Sequence, residues 1–170
     1  METTVSLVQM LDARERRVQH QQELFDAIAA SETLPSEDAY KLGVFLRDLT
    51  AQDVLDAQSR YSELFDRGRS TSLHLFEHVH GDSRDRGPAM IDLIKTYEQA
   101  GLFLAPGELP DYLPVMLEFA STQTPQIARS FLGEMAHLLN AIFNALQQRK
   151  SPYASVLGAL LELAGEQAHA

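Results

Sequence analysis

The chain has 170 residues, of which 45% are hydrophobic and 22% are charged, and its formal net charge is −10 at pH 7. This length suffices for one domain with its own core, and the composition excludes an intrinsically disordered chain. The absence of cysteine excludes disulfides, thiolate catalysis and cysteine-ligated metal centres, and no apolar run approaches the roughly 20 residues needed to cross a bilayer. We expect a cytoplasmic protein that is repelled by nucleic acid and anionic lipid and has no signal peptide.

Apolar residues recur at helical spacing through the first hundred residues. Ser36 opens a predicted helix whose acidic first turn suits the helix dipole. The tetrapeptide from Thr50 to Asp53 resembles a capping box and predicts the start of a second helix. Residues 90–97 form another apolar stripe, which Gly101 is placed to end.

The sequence pattern of the C-terminal third predicts two further helices, each with a proline in its first turn. Thr124 followed by Pro125 supplies a cap and a first-turn proline for one long helix, whose apolar stripe runs over residues 127–146. Ser151 and Pro152 repeat this arrangement before the last helix.

No segment shows the alternation of a half-buried strand, and no Asn-Gly or Asp-Gly turn joins two β-branched runs. The sequence therefore predicts an all-α fold with about seven helices, arranged as a single compact multi-helix domain over residues 1–170.

Three histidines and many charged residues crowd the stretch LFDRGRSTSLHLFEHVHG at 64–81. His74, Glu77 and His78 fit the pattern H-x-x-E-H, in which two histidines hold zinc and a glutamate acts as the base. A helix over 71–80 would bring these three side chains to one face, away from the apolar half. One alternative function is therefore a zinc-dependent hydrolase; the other interpretation is two histidines on a partly exposed helix.

The remaining polar residues of this stretch suggest packing or binding rather than catalysis. His80 projects into the apolar half of the predicted helix near Phe76, where it serves the core or lines a pocket. We expect the flanking arginines to bond to nearby carboxylates and to loop carbonyls rather than to gather a phosphate; they are Arg67, Arg69, Arg84 and Arg86.

A second cluster is ELPDYLPVMLE at 108–118. Asp111 is placed to cap a helix whose first turn accommodates Pro114, with Met116 in the core. The alternative to this structural interpretation is that the same residues bind a peptide. A carboxylate and the Tyr112 phenol at a helix start, beside a flexible methionine, suit the capture of a basic amphipathic peptide.

The segment YSELFDRGRSTSLHLFEHVHGDSRDRG at 61–87, with AMIDLIKTYEQAGL and ELPDYLPVMLEF after it, resembles the respiratory nitrate reductase assembly chaperones. This is the NarJ or delta-subunit family, within the TorD-like redox-enzyme maturation proteins. HQQELFDAIAAS at 20–31 and LGVFLRDLT at 42–50 are also similar, so the resemblance is strongest over residues 20–120.

The sequence departs from the family pattern in three places. The N-terminal Tyr-Pro pair is missing, and Pro110-Asp111-Tyr112 replaces a Pro-Asp-His motif. The acidic C-terminal extension of the family is also absent, which is expected of a truncated chain or of a shorter homologue.

The resemblance implies a helical cytoplasmic chaperone that is not an enzyme and carries no cofactor. It would bind the N-terminal leader-like segment of the catalytic α subunit of nitrate reductase during insertion of the molybdenum cofactor and the iron–sulfur cluster, before membrane docking. Molybdenum cofactor biosynthesis proteins are further expected partners, without nucleic acid or stable membrane association, and the chaperone would be a monomer or a dimer. A generic helical adaptor is the remaining alternative.

We expect the client peptide to bind in an acid-edged apolar groove between the helices of 51–65, 71–80 and 111–120. The predicted contact residues are Tyr61, Phe65, Phe76, Glu77, His80, Asp111, Tyr112, Met116 and Glu118.

Overall fold

The computed structural model describes residues 34–80 and 84–166, together with residues 24, 27, 28 and 30. Between Ser36 and Ala164 these residues form eight α-helices and no strand, which confirms the predicted all-α fold. The helices are α1 (Ser36–Ala51), α2 (Val54–Tyr61), α3 (Leu75–Val79), α4 (Arg86–Gln99), α5 (Leu113–Thr122), α6 (Pro125–Glu134), α7 (Ala136–Gln148) and α8 (Ala154–Ala164). None of these eight combines the length and the apolarity needed to span a bilayer.

The core is centred on α8. All six residues from Val156 to Leu161 are buried, so this helix has no solvent-facing side along that length. It packs against α7, α6 and α1. The remaining helices extend this core, and α5 contributes Leu113, Met116 and Leu117, each of which is almost fully buried.

The predicted start of the helix over 71–80 is wrong. After α2 the chain continues through a π-helical turn (Ser62–Asp66) and a 3₁₀ turn (Arg69–Thr71), and α3 begins only at Leu75. The intervening residues are extended because Leu73 accepts a 2.8 Å hydrogen bond from the N–H of Leu113. An isolated antiparallel bridge between His74 and Tyr112 completes this contact, so a distant segment prevents the helix from starting earlier.

The single helix predicted over 124–146 is also wrong, because the chain forms α6 and α7 with a break at Met135. This residue has φ −95° and ψ 0°, and its N–H donates to the carbonyl of Leu132 at 3.1 Å. Both helices pack against α8, and the apolar stripe therefore continues across the break. Periodicity alone does not reveal a one-residue bend between two helices that face the same core.

Two predicted helix starts differ from the structure. Thr50 lies within α1, where its hydroxyl donates to the carbonyls of Leu46 and Arg47, and the capping box is not formed. Asp53 caps α2 instead, since its carboxylate accepts the N–H groups of Leu55 and Asp56 at 2.9 and 3.3 Å.

The start of α8 differs less. This helix begins at Ala154, two residues after Pro152, and the Ser151 carbonyl accepts the N–H of Ala154 at 3.1 Å. Ser151 therefore starts a turn that leads into the helix rather than capping it.

Two other predicted boundaries are confirmed. The hydroxyl of Thr124 accepts the N–H of Ile127 at 3.4 Å, and Pro125 occupies the first turn of α6. Helix α4 ends at Gln99, and Gly101 follows with φ 78°, a left-handed conformation that glycine adopts without strain.

Candidate peptide-binding site

Asp111 is the fully buried carboxylate that joins α3 to α5. Tyr112, the residue that precedes α5, makes no side-chain capping bond. The Asp111 side chain instead accepts the N–H of Phe76 at 3.2 Å, in the first turn of α3, and is 0% exposed. The prediction that Asp111 caps its own helix is therefore wrong, because the carboxylate caps a helix 35 residues earlier in the chain.

A guanidinium lies between two carboxylates beside this cap. Arg86 Nη2 is 3.5 Å from Asp111 Oδ2 and 3.7 Å from Glu77 Oε1. The expectation that arginines near 64–81 pair with local acids is thus confirmed for Arg86. The arrangement partly neutralises the buried Asp111 and connects it to Glu77 at the surface.

His74 lies on the other side of Asp111 without bonding to it. Its Nδ1 is 3.6 Å from Asp111 Oδ1, and both atoms are buried with no hydrogen-bond partner. The imidazole packs against the Tyr112 ring at a centroid distance of 5.0 Å. Since buried polar atoms usually have partners, this pair marks the least satisfied point of the packing between α3 and α5.

The geometry on which the zinc hypothesis depended is not formed. His74 precedes α3, so His74 and His78 are not one turn apart on a helix. His78 Nε2 lies 2.8 Å from the Ser72 carbonyl, and Glu77 accepts the Ser72 hydroxyl at 2.7 Å. Across the part of the chain that the structure describes, no group of three or more His, Asp or Glu residues could hold a metal ion.

Tyr97 supports the segment that carries Asp111. Its hydroxyl donates to the Pro110 carbonyl at 2.8 Å. Burial, with a smaller effect from the charge of Asp111, raises the pKa of Tyr97 well above its ordinary value of 10.0. The phenol therefore remains a neutral donor and fixes the backbone immediately before Asp111.

A cleft of about 570 Å³ opens between α4, α5 and α6, and we call it the α4–α6 cleft. Phe76, whose backbone N–H bonds to Asp111, contributes its side chain to the wall. Phe119 and Phe131 pack edge to face at 4.8 Å. The full lining is Phe76, Ala89, Asp92, Leu93, Thr96, Phe119, Ile127, Ser130, Phe131, Glu134 and Met135.

The edges of the α4–α6 cleft carry the features of a peptide-binding groove. Ile127 is 49% exposed although most of its neighbours in the lining are apolar. Asp92 and Glu134 contribute carboxylates, and Lys95 pairs with Asp92 at 3.2 Å. An apolar groove with acidic groups beside it can accommodate an amphipathic segment that carries positive charge.

The structure separates the nine predicted contact residues into two groups. Tyr61, Phe65, Asp111 and Met116 are buried, and the Tyr61 and Phe65 rings pack on each other at 4.8 Å. They belong to the core of the structure, and contact of these four residues with a client also stays a prediction.

Of the other five predicted residues, Phe76 is buried at the wall of the cleft and four are at least partly exposed. Phe76 lines the α4–α6 cleft, Glu118 is exposed, and Glu77, His80 and Tyr112 are partly exposed. His80 packs edge to face on Phe76 at 5.7 Å, as its predicted position on the apolar side suggested. For these residues the contact with a client stays a prediction.

Sequence reasoning did not find the α4 and α6 residues of the cleft. Their apolar positions have the same helical spacing as core residues, and Ile127 was assigned to a core stripe. No pattern in the sequence distinguishes a helix face that is covered by a neighbour from one that is left open.

The nitrate reductase delta subunit family model matches residues 31–157. The chain is 59% identical to the nitrate reductase molybdenum cofactor assembly chaperone NarJ of Escherichia coli (strain K12), over 86% of this chain and 62% of that protein. It is 46% identical to a probable assembly chaperone of the same kind, NarW, from that strain, over 82% of this chain and 59% of the relative. A probable NarJ of Bacillus subtilis (strain 168) is 37% identical over 59% of this chain and 55% of its own length. The chain thus spans about three fifths of the length of these curated relatives.

Proposed function

Because this chain belongs to the nitrate reductase delta subunit family, we propose that it is an assembly chaperone for a molybdenum-containing nitrate reductase. Its client is the catalytic α subunit, whose N-terminal leader-like segment it binds. The bound state lasts while the molybdenum cofactor and the iron–sulfur cluster are inserted, and it ends before the reductase docks on its membrane anchor. The chaperone itself performs no chemistry.

The observation that carries this proposal is the α4–α6 cleft. It combines an aromatic interior with an exposed Ile127 and with the carboxylates of Asp92 and Glu134. Apolar groups of the client supply most of the affinity, because each Å² of buried apolar surface contributes about 25 cal/mol. Exposed ion pairs contribute only about 0–1 kcal/mol each, so the acids select a basic segment rather than bind it tightly.

The partly exposed residues around α3 extend this site. Glu77, His80 and Tyr112 lie on or beside the elements that position Phe76, and Phe76 belongs to the cleft wall. These three side chains contact the two ends of the client segment. The buried residues Tyr61, Phe65, Asp111 and Met116 support the site from the core and do not contact the client.

Calorimetry with the N-terminal peptide of the α subunit tests the proposal. Ile127→Ala is expected to weaken binding about tenfold, since the side chain is exposed before binding and covered afterwards. The matched control is Ile91→Ala, which changes a 54% exposed isoleucine on α4 that does not line the cleft. The affinity of this variant for the peptide should equal that of the wild type.

The two possible failures have different meanings. Equal affinities for both variants and the wild type would place the peptide elsewhere on the chaperone. No measurable binding of the peptide by the folded wild-type chain would contradict the proposed function itself.

A further inference from the structure

A second cavity, of about 270 Å³, lies between α1, α2 and the loop of residues 149–153. It shares no lining residue with the α4–α6 cleft. Three cations line it, Arg60, Arg149 and Lys150, whereas Asp48 is its one carboxylate. We call it the basic cavity, and its local excess of positive charge contrasts with a chain whose net charge is −10.

Two of the three cations of the basic cavity, Arg60 and Arg149, have neutral hydrogen-bond partners. Arg60 Nη1 donates to the amide oxygen of Gln52 at 3.1 Å, and Arg149 Nη2 donates to the Ser70 hydroxyl at 3.3 Å. The cations that form ion pairs among the described residues are other ones, namely Lys41, Arg86 and Lys95. The positive charges of the cavity are thus available to an anion.

Favourable interaction with helix ends explains the positions of only some of these cations. Arg149 and Lys150 follow α7, where cations interact favourably with the carbonyl end of the helix dipole. Arg60 does not lie at a free helix end, because α2 continues into the π-helical turn of residues 62–66. Helix dipoles also give no reason for the three groups to surround one cavity.

Arg149 is exposed but has contacts within the protein before any ligand arrives. Besides its bond to Ser70, its Nη1 lies 3.0 Å from the position that a Cβ at residue 68 would occupy, so it packs closely over Gly68. These contacts restrict the guanidinium, which therefore loses less conformational freedom when it binds an anion.

The remaining lining is apolar and sets the shape of the ligand. Leu49, Ala57, Leu64 and Pro152 surround the cations, and Phe45 and Tyr153 pack together at 4.9 Å. Phe45, Leu49, Ala57 and Tyr153 are already buried, so the apolar surface that is left for an organic group is that of Leu64 and Pro152.

We propose that the basic cavity binds a small organic phosphate. The phosphate lies among Arg60, Arg149 and Lys150, and the organic part lies against the apolar lining. A doubly charged phosphate matches three cations better than a single carboxylate does, because each charge-assisted N–H···O bond requires an acceptor oxygen. The site is independent of the client peptide and of the proposed chaperone function.

Phenyl phosphate is the probe that tests this site, with inorganic phosphate and phenol as its two halves. Each is titrated into the ¹⁵N-labelled chain, and backbone amide shifts are followed by NMR. Phenyl phosphate should saturate the amides of residues 52–64 and 149–153, and should bind about tenfold more tightly than either half.

Substitutions identify the cations that hold the phosphate. The double variant of Arg60→Gln and Lys150→Gln should weaken phenyl phosphate binding more than tenfold, since two charge-assisted contacts are lost. Lys95→Gln removes one charge outside the cavity and should leave binding unchanged. Thermal unfolding verifies that each variant is folded. If the double variant does not fold, the single variant Arg60→Gln is titrated in its place.

Three results would overturn the proposal. Shifts that grow linearly without saturation exclude a site, and saturable shifts at other amides place it elsewhere. If Lys95→Gln weakens phenyl phosphate binding as much as the double variant does, the anion responds to the total charge of the chain rather than to the cavity.

Discussion

Gly68 lies where the chain has no room for a side chain. A Cβ at this position would overlap the Leu64 carbonyl oxygen and the Thr71 hydroxyl, and would touch Arg149. Its φ of −94° is open to any residue, so the requirement for glycine is one of space rather than of backbone conformation. This close approach allows the chain to turn from α2 toward α3.

Gly68→Ala is therefore expected to lower the free energy of unfolding by about 1–3 kcal/mol, because backbone must shift to admit the methyl group. The matched control is Gly87→Ala in the first turn of α4, where a Cβ would meet nothing within 4 Å. That change should be neutral or stabilising by up to about 1 kcal/mol. Urea unfolding of both variants measures the difference, and equal effects would contradict the spatial argument.

At the scale of elements, α3 depends on the rest of the protein. It has five residues, far fewer than a helix needs to be stable alone in water. Its first turn is fixed by Asp111, whose side chain accepts the Phe76 N–H and whose carbonyl accepts the Leu75 N–H at 2.9 Å. The helix that carries Phe76 toward the α4–α6 cleft is thus positioned by the segment before α5.

Asp111→Ala should destabilise the fold by about 3–5 kcal/mol, since it removes the cap and leaves Arg86 without its buried partner. Asp111→Asn keeps an acceptor for Phe76 but loses the charge, and should cost about 1–3 kcal/mol. Asp92→Asn, on an exposed carboxylate, is the control and should stay within about 0.5 kcal/mol of the wild type. Chemical denaturation ranks the three variants, and an Asn variant as unstable as the Ala variant would mean that charge outweighs the cap.

For the molecule as a whole, acidity and apolar surface would make separate contributions to the proposed binding of a client. The net charge of −10 attracts a basic segment at long range, and salt screens this attraction. The apolar lining of the α4–α6 cleft acts at contact and depends little on salt. Under the proposed function, affinity for the client peptide should therefore fall by about tenfold or less between 50 and 200 mM salt, with a negative heat-capacity change.

A double variant separates these contributions. Asp92→Asn with Glu134→Gln removes the carboxylates of the cleft, so the salt dependence of peptide affinity should become weaker. Affinity at high salt should stay close to that of the wild type. Calorimetry over a salt series provides the comparison, and a large loss at high salt would show that the acids bind the client directly.

The sequence by itself determined the fold class, most helix positions and the family resemblance. Helical periodicity, the Thr124–Pro125 start and the Gly101 end depend on local backbone preferences, which are present in any context. Composition likewise established that the chain is acidic and contains no cysteine.

Only the tertiary structure decided which faces are covered. Asp111 caps α3 rather than α5, and the side chains of Tyr61 and Met116 are buried in the core. Ile127, which has the spacing of a core residue, is left half exposed in the α4–α6 cleft. The physical reason is that periodicity shows which side of a helix is apolar, whereas its partner is fixed by contacts between segments that are distant in the chain.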